Sequence, residues 1–391
     1  MTEVDLLIIG GGPSGISTAL HVHAANPRLK QVVLEAKPYP REKICAGGIG
    51  ARAFRKLEAI GVTVHCPMVN LNAIALRIGG ETVLVREPDL GVVVRRVEFD
   101  HAFARVAIAR GIDVRDSTPV SAIVIEDDHV RVETETGEVF RARAIVGADG
   151  VAGITRRAVG FPAHALRAQV VELDTEAAPT DHPRDTIFFD FSMRDLHGYA
   201  WDFPTVVDNQ PLVCRGAYVI HNLGHDSPKQ RIDQYLTERG LDPSKYKHKQ
   251  FAERGFTPGS EIARPRVLLV GEAAGIDIAT GEGIAQAIEY GYVAGPYLAK
   301  ACARDDFGFG GWLPHLEHRH VGWQLRIRHM TYEAFYGERR DMIERMLPRM
   351  HALMRLGVQD FAGKRLSKMS MLRGSAQFLT AFAREKMRSV D

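Results

Sequence analysis

Long apolar segments are missing from this chain of 391 residues. No run approaches the roughly 18 apolar residues that would suggest a membrane-spanning helix. The first apolar strand begins almost at the N-terminus, which leaves no room for a cleavable secretion signal. We therefore expect a cytoplasmic protein, and its length predicts two or three structural units rather than one core.

Cysteine is also scarce. The four cysteines are scattered, and none has the short paired spacing of a zinc site or a disulfide framework. Sixteen histidines are present, but those that cluster have no accompanying carboxylate or cysteine spacing. The sequence therefore predicts no metal site.

A strong net charge is absent too. The formal net charge is only +2, which argues against a nucleic-acid partner. The charge is uneven, because residues 339–391 carry twelve Lys or Arg against five Asp or Glu, a net of +7 that leaves −5 elsewhere. This basic segment could contact an anionic membrane surface where lipid substrates reside, or it could form a solvated face. Its basic residues include Arg345, Arg349, Arg355, Lys364, Arg365 and Lys368.

What the chain does have is a glycine-rich turn close to its start. An apolar run over 6–9 leads into the turn over 10–15, and Glu35 follows a second apolar run about 20 residues later. A buried strand, a tight turn and a helix N-terminus let backbone N–H groups approach a pyrophosphate, while the carboxylate accepts from a ribose hydroxyl. The sequence therefore predicts a dinucleotide site. Its predicted cofactor-binding residues here are Gly10, Gly12, Pro13, Ser14, Gly15 and Glu35.

Two more apolar strands run into glycine turns farther along the chain. The first ends in Asp149-Gly150, and the second ends in Gly271-Glu272. The segment 280–284, Thr-Gly-Glu-Gly-Ile, follows the second turn and precedes a helix that reaches about Ala301. In this order and spacing, the three motifs resemble the flavoprotein superfamily that includes p-hydroxybenzoate hydroxylase, flavin-dependent halogenases and geranylgeranyl reductases. The resemblance covers about residues 1–300 and implies FAD as the cofactor.

Two further segments narrow the resemblance to the geranylgeranyl reductases. Pro40, Lys43, Cys45, Gly47 and Gly48 look like the cysteine-and-glycine loop of that family, and the segment 198–204 looks like its aromatic-proline motif. The sequence departs from the pattern at Ala46, which interrupts Cys-Gly-Gly, and at Thr205, where many members carry a basic residue. These departures concern the substrate more than the fold.

The resemblance also implies further site residues, each with a plainer alternative. Arg96 matches an arginine near the FAD, or is a solvated surface arginine. Asp149 helps to hold the cofactor, or caps a turn at a strand end. A helix N-terminus after Gly271 would stabilise negative charge on the reduced flavin, and Glu272 could still hydrogen-bond the ribityl or pyrophosphate region. The remaining implied cofactor-binding residues are Gly281, Gly283 and Ile284.

The expected substrate site combines the cysteine loop with an aromatic strand. Tyr199, Trp201 and Phe203 alternate along one strand, so they should face one side, as a pocket wall or as plain core. Cys45 could line the site beside the flavin, since the equivalent position in the resembling reductases lies near the reacting end of the substrate, or it packs as a small buried thiol. We predict Cys45, Tyr199 and Trp201 as catalytic residues. The predicted substrate-binding residues are Gly47, Gly48, Phe203 and Pro204.

The predicted fold class is α/β, a Rossmann-like FAD-binding domain with an inserted antiparallel-sheet substrate domain and a helical C-terminal region. The predicted boundaries are 1–72, 93–162 and 255–304 for the FAD-binding domain, 73–92 and 163–254 for the sheet domain, and 305–391 for the helical region. Periodicity predicts helices over 51–60 and 97–110 and a hairpin over 120–134. Further predictions are strands over 169–173, 186–191, 199–203 and 212–220, and polar helices over 226–254.

One C-terminal helix is expected to carry a stripe of methionines. Met342, Met346, Met350 and Met354 recur every fourth residue. Methionine adapts to irregular apolar shapes, so the stripe could border a tunnel for an isoprenoid tail, or it could simply pack against the core.

These features together predict an FAD-dependent reductase that hydrogenates carbon–carbon double bonds of a prenyl or similar apolar substrate, with hydride from flavin N5. The alternative is an FAD-dependent monooxygenase or halogenase acting on an aromatic or other small substrate. No second dinucleotide fingerprint is present, so an external reductant is expected, either NAD(P)H or a protein electron carrier. The proton donor stays open among Tyr199, Cys45 and an ordered water.

Overall fold

The computed structural model describes residues 1–163, 166–364, 366 and 368–388. Within those ranges the chain forms two eight-stranded sheets, with helices packed against both. The strands are Thr2–Ile9 (β1), Gln31–Leu34 (β2), Gly48–Gly50 (β3), Met68–Ile78 (β4), Glu81–Val94 (β5), Asp113–Arg115 (β6), Val120–Ile125 (β7), Val130–Thr134 (β8), Val139–Gly147 (β9), Arg167–Thr175 (β10), Thr186–Asp190 (β11), Leu196–Val207 (β12), Gln210–Asn222 (β13), Lys249–Arg254 (β14), Ala263–Arg264 (β15) and Val267–Leu269 (β16).

The helices lie between these strands and after them. They are Pro13–Ala25 (α1), Ala51–Glu58 (α2), Arg96–Ala109 (α3), Ile154–Ala158 (α4), Pro228–Glu238 (α5), Ile284–Arg304 (α6), Trp312–Glu317 (α7), His320–Phe335 (α8), Arg340–Met346 (α9), His351–Phe361 (α10) and Lys368–Arg388 (α11). Among the described residues, no helix is both long and apolar enough to cross a membrane.

The first sheet has the order β15-β16-β9-β1-β2-β6, and the β7–β8 hairpin is attached through β8 to β9. The four neighbours β16, β9, β1 and β2 run parallel. Their side chains are almost wholly buried, as expected for a parallel sheet covered on both faces. The carboxyl ends of these four strands therefore lie side by side at one edge.

The second sheet has the order β14-β10-β13-β12-β11-β4-β5-β3 and is antiparallel except for the β11–β4 pair. One face packs against the C-terminal helices, with Phe335, Met354 and Val358 in the same core as Trp201. The other face is covered by α5, through Ile232 and its neighbours. This arrangement confirms the predicted α/β fold with a second, largely antiparallel sheet and a helical C-terminal region. The predicted domain boundaries stay a prediction.

Most of the expected elements are confirmed, but two expectations are wrong. The segment 226–254 is not helical throughout, because 249–254 forms the edge strand β14. The helix expected after the segment 280–284 is confirmed: a three-residue 3₁₀ turn follows Val270, and α6 begins at Ile284. Gly275, with φ +116, holds the intervening chain in a conformation that cannot continue a helix.

The expectation that the four methionines form a stripe on one helix is also wrong. They do not lie on one helix, because the chain breaks between α9 and α10 in a 3₁₀ segment that contains Pro348, which has no N–H to continue the helix. Met346, Met350 and Met354 are buried, and Met354 belongs to the core beneath the second sheet.

Candidate functional site

The carboxyl ends of the parallel strands bring the three glycine motifs together. Gly10 comes directly after β1 and Ala148 directly after β9, while Gly271 is the second residue after β16. The backbone joins them directly, since the Ala148 N–H donates to the Ile9 carbonyl at 2.7 Å. The three motifs are far apart in the sequence, but the strand order places them at one edge of the first sheet.

The glycine turn leaves a helix N-terminus open. Gly12 is the N-cap of α1 and has no side chain to cap the helix, and Pro13 occupies the first turn. A β-carbon at Gly15 would lie 1.9 Å from the Gly10 carbonyl oxygen, so only glycine allows this close approach. A β-carbon at Gly12 would instead project toward the Arg41 guanidinium, 3.5 Å away. The free N–H groups and the helix dipole make this turn an anion site.

Glu35 lies at the end of β2, next to the same turn. Its Oε2 accepts a hydrogen bond from the Gly11 N–H at 2.9 Å. Its Oε1 accepts from the Lys37 N–H and pairs with Arg41 at 3.1 Å. Each carboxylate oxygen has more than one lone-pair site, so the oriented Glu35 retains capacity for a ribose hydroxyl. Sequence reasoning missed Arg41, for which the only available signal was its place in a basic loop.

Asp149 caps the turn after β9 and also has one carboxylate oxygen without a partner among the described residues. Its Oδ2 caps the turn by accepting from the Thr155 N–H at 2.7 Å and from the Thr155 hydroxyl at 2.9 Å. Its Oδ1 is buried and has no hydrogen-bond partner among the described residues. Burial raises the pKa of this carboxyl, against the opposing effect of the Thr155 hydrogen bonds. A buried oxygen without a partner at the cavity wall is what a hydroxyl-bearing cofactor would satisfy.

The third motif carries a half-buried ion pair. Lys43 Nζ lies 3.6 Å from Glu272 Oε2 and 2.7 Å from the centroid of the Phe251 ring. Oε1 of Glu272 is enclosed and has no hydrogen-bond partner among the described residues. Burial raises the pKa of Glu272 and lowers that of Lys43. The N-terminus of α6, at Gly283 and Ile284, faces the same cavity.

Arg96 is not a surface residue. Its guanidinium is buried and makes two 2.7 Å bonds to the two carboxylate oxygens of Asp100, one turn along α3. Arg41 also lies 3.2 Å from that carboxylate. Cys45 lies beside this group, and its Sγ accepts from the Gly47 N–H at 3.4 Å. Burial raises the pKa of the Cys45 thiol, so it is present as the uncharged thiol.

The aromatic strand lies apart from these groups. Tyr199, Trp201 and Phe203 share one side of β12, which confirms that they face the same way, and all are buried. The Tyr199 hydroxyl donates to the Thr280 carbonyl at 2.5 Å, and a β-carbon at Gly281 would meet the neighbouring Tyr218 ring. In the cysteine loop, Gly48 lies against the Phe203 ring and Gly47 contacts the Val94 backbone. Pro204 is buried in β12.

A cavity of about 720 Å³ connects the glycine turn with the cysteine loop, which is within the usual range of small-molecule and cofactor sites. Its lining, as far as the chain is described, omits the predicted residues Gly15, Gly47, Gly48, Tyr199, Trp201, Phe203, Pro204, Gly271 and Gly281. It includes the predicted residues Gly10, Gly12, Pro13, Ser14, Glu35, Cys45, Arg96, Asp149, Glu272, Gly283 and Ile284.

The cavity fits a flavin dinucleotide on two observations. An uncapped helix N-terminus suits the pyrophosphate, and the unpartnered oxygens of Asp149 and Glu272 suit hydroxyl or N–H groups of the cofactor. Sequence reasoning did not identify Phe251 and Glu253, two residues of β14 that also line the cavity. Their strand reads as polar and irregular, which is why it was expected to be helical.

The geometry defines the class of protein as a flavin-dependent oxidoreductase, and comparison with known proteins agrees. The sequence family described as "FAD binding domain" matches residues 3–302. An uncharacterised protein of Methanosarcina barkeri is 28% identical over 86% of this chain and 85% of its own. Digeranylgeranylglycerophospholipid reductase 1 of Methanococcoides burtonii is 27% identical over 78% of this chain and 76% of its own.

A solved structure shares the fold. The geranylgeranyl bacteriochlorophyll reductase-like protein from Thermoplasma acidophilum superposes with a TM-score of 0.70 at 18% identity, over 99% of each chain. With the family match spanning well over half of its length, the chain belongs to the FAD-binding domain family, and it is similar to FAD-dependent oxidoreductases named as digeranylgeranylglycerophospholipid reductases.

Proposed function

We propose that this protein reduces carbon–carbon double bonds of a prenyl or similarly apolar substrate. The observation that carries the proposal is the single cavity that joins a dinucleotide turn to a cysteine loop and to the apolar ring of Phe251. Relatives named as digeranylgeranylglycerophospholipid reductases support the substrate class. When bound and reduced, FAD supplies the hydride.

The chain's own residues hold the cofactor and exclude water. The amides at Gly12 and Ser14 bind the pyrophosphate, and Glu35 binds the ribose. Arg96, fixed by Asp100, keeps a positive charge beside the cavity. The other residues proposed to bind FAD are Gly10, Pro13, Gly15, Asp149, Gly271, Glu272, Gly281, Gly283 and Ile284.

The substrate side is proposed to involve the cysteine loop. Cys45 lines the cavity and would contact the apolar chain as a neutral thiol. The proposal that Tyr199 and Trp201 act in catalysis has less support, because both side chains are packed in the core of the second sheet. Gly47, Gly48, Phe203 and Pro204 are proposed to contact the substrate, although none of them lines the cavity as far as the chain is described.

A monooxygenase or halogenase has less support than a reductase. The relative from Methanococcoides burtonii carries a reductase name, and the lysine that activates hypohalous acid in halogenases has no evident sequence match. An external reductant, either NAD(P)H or an electron-carrier protein, is also proposed. The reason is that the one dinucleotide fingerprint recognised in the sequence is assigned to FAD.

Contact of the basic C-terminal helices with an anionic membrane is likewise proposed. Arg355 and Lys364 form ion pairs with Glu87, and Arg365 lies outside the described residues.

The test is anaerobic turnover with a chemical reductant and a geranylgeranyl lipid. We expect a mass gain of about two per reduced bond, because each bond adds one hydride and one proton. The control is the same mixture in air with oxygen uptake recorded. Substrate loss that requires oxygen, with no gain of hydrogen, would establish the monooxygenase instead.

A further inference from the structure

Glu253 stands on the cavity wall without an assigned role. It is the penultimate residue of the edge strand β14 and pairs in register with Ala168 of β10. Just beyond it, the Phe256 N–H donates to the Ile276 carbonyl at 2.8 Å, which ties this strand to the loop after β16. That tie holds the Glu253 side chain at the boundary between the two sheets, where the cavity lies.

The carboxyl group of Glu253 is enclosed but has no fixed partner. Its Oε2 is inaccessible, and within the described ranges no group forms a hydrogen bond with it. The rest of the side chain is partly exposed, and the space it faces is the cavity that it shares with Cys45 and Phe251. A buried carboxyl oxygen without a donor favours the protonated acid over the charged carboxylate.

We propose that Glu253 is the acid that delivers a proton to the double bond. This inference rests on the proposed function, since it assigns the proton that alkene reduction needs. Two carboxyl groups at the same end of the cavity then have different tasks. Glu272 stays beside its cation Lys43, 3.6 Å away, while Glu253 carries the proton.

The step balances with the reductant already named. The Glu253 O–H bond breaks as a C–H bond forms at one alkene carbon, and the hydride that reduced FAD supplies forms the C–H bond at the other. The alkene is thereby reduced by two electrons and FAD is oxidised. The Glu253 carboxylate regains a proton from water, and the external nicotinamide or electron carrier reduces FAD again.

The other acids in this region are less suitable. The Tyr199 proton is committed to the Thr280 carbonyl, and this side chain does not line the cavity. The Cys45 thiol lines it, but the ordinary pKa of a thiol is already far above that of a carboxyl, and burial raises the pKa of Cys45 further. Burial raises the pKa of Glu172 to about 7, yet Glu172 lies outside the cavity lining as far as the chain is described.

The charges around Glu253 are consistent with a protonated carboxyl. Burial raises its pKa well above the ordinary value, and the negative charge of Glu272 adds to this effect. Lys43 acts in the opposite direction and would stabilise the carboxylate that remains after proton transfer. The titratable and charged groups that act on this carboxyl or respond to it are Lys43, Cys45, Arg96, Tyr199, Tyr218, Glu272 and Asp277.

The experiment compares the wild type with E253Q, E253D and the control E238Q, in which an exposed glutamate of α5 is changed. FAD binding and circular dichroism establish that each variant is folded and loaded. Infrared difference spectra of wild type minus E253Q, recorded across pH, report whether Glu253 is protonated. Anaerobic turnover of the geranylgeranyl lipid is then measured as a function of pH.

We expect E253Q to bind FAD as the wild type does and to lose at least about 100-fold in turnover, the usual contribution of a general acid. Wild-type turnover should fall as pH rises through the pKa of Glu253, because only the acid form donates. E253Q should lack that limb, and E253D should retain part of the rate. A protonated-carboxyl band should be present at neutral pH and absent from E253Q, and E238Q should match the wild type.

Two results would overturn the inference while the proposed function stands. One is an active wild type with E253Q at the same rate and pH profile. The other is an infrared spectrum that shows Glu253 ionised at neutral pH. A folded, FAD-loaded wild type that reduces no prenyl chain would instead overturn the proposed function, and the proton assignment with it.

Discussion

At the scale of single residues, the cavity depends on the absence of a side chain at Gly12. A β-carbon there has no clash with the protein and would project toward the cavity, with Arg41 as its nearest neighbour. We expect Gly12→Val to fold normally but to weaken FAD binding at least about tenfold, roughly 1.4 kcal/mol, because the branched side chain occupies pyrophosphate space. Flavin retained after gel filtration, together with thermal unfolding, measures both effects.

The matched control is Gly310→Val, at an exposed glycine with open space around it and an ordinary backbone conformation. That variant should keep its flavin. Normal occupancy in Gly12→Val would contradict the placement of the phosphates.

The sequence could identify a site residue only where its role depends on neighbours within the same short segment. The glycines and Glu35 were predictable because strand, turn and helix start lie within one short segment. Arg41, Phe251 and Glu253 were not, because their roles arise only when β14 and the loop before Cys45 meet across the cavity. The ion pair between Arg96 and Asp100 was not predicted, because its burial depends on elements that are distant in the sequence.

At the scale of secondary-structure elements, His320 connects three helices. It begins α8, lies 3.0 Å from Asp360 of α10, and lies 3.7 Å from Glu289 of α6. Hydrogen bonding to Asp360 and then to Glu289 raises the pKa of His320 to about 9. A raised pKa means that this contribution to stability is fully present below about pH 6.5 and is lost as pH rises through about 9.

We therefore expect His320→Gln to lose at most about 1 kcal/mol of unfolding free energy at pH 6, because His320 is half exposed. The difference from the wild type should vanish above about pH 9. Denaturant unfolding at several pH values measures it, with the exposed His318→Gln as control. A difference that stays constant across this pH range would show that the charge of His320 contributes nothing.

Elements were predicted well where the apolar pattern is regular and poorly where a strand faces a cavity. The β7–β8 hairpin was predicted with its observed bounds because apolar residues alternate there. The edge strand β14, Lys-Gln-Phe-Ala-Glu-Arg, has no such alternation, since Phe251 lies at the margin of a core and Glu253 lines the cavity. The break between α9 and α10 had a visible signal in Pro348 that the regular methionine spacing obscured.

At the scale of the whole molecule, the cavity is shared by the two sheets. The glycine turns come from the first sheet, and Phe251 and Glu253 come from the edge of the second. The convergence of motifs 100 or more residues apart was predictable only through the family resemblance, because strand order is not encoded locally. A ligand that bridges both sheets should stabilise the native state as a unit.

The most direct test of the central claim, that distant segments converge to hold one FAD, is reconstitution of flavin-free protein by FAD titration. We expect each chain to bind one FAD. At a free FAD concentration of about 100 times the dissociation constant, the free energy of unfolding should rise by about 2.7 kcal/mol. A protein that stays colourless, with unfolding unchanged by FAD, would contradict it.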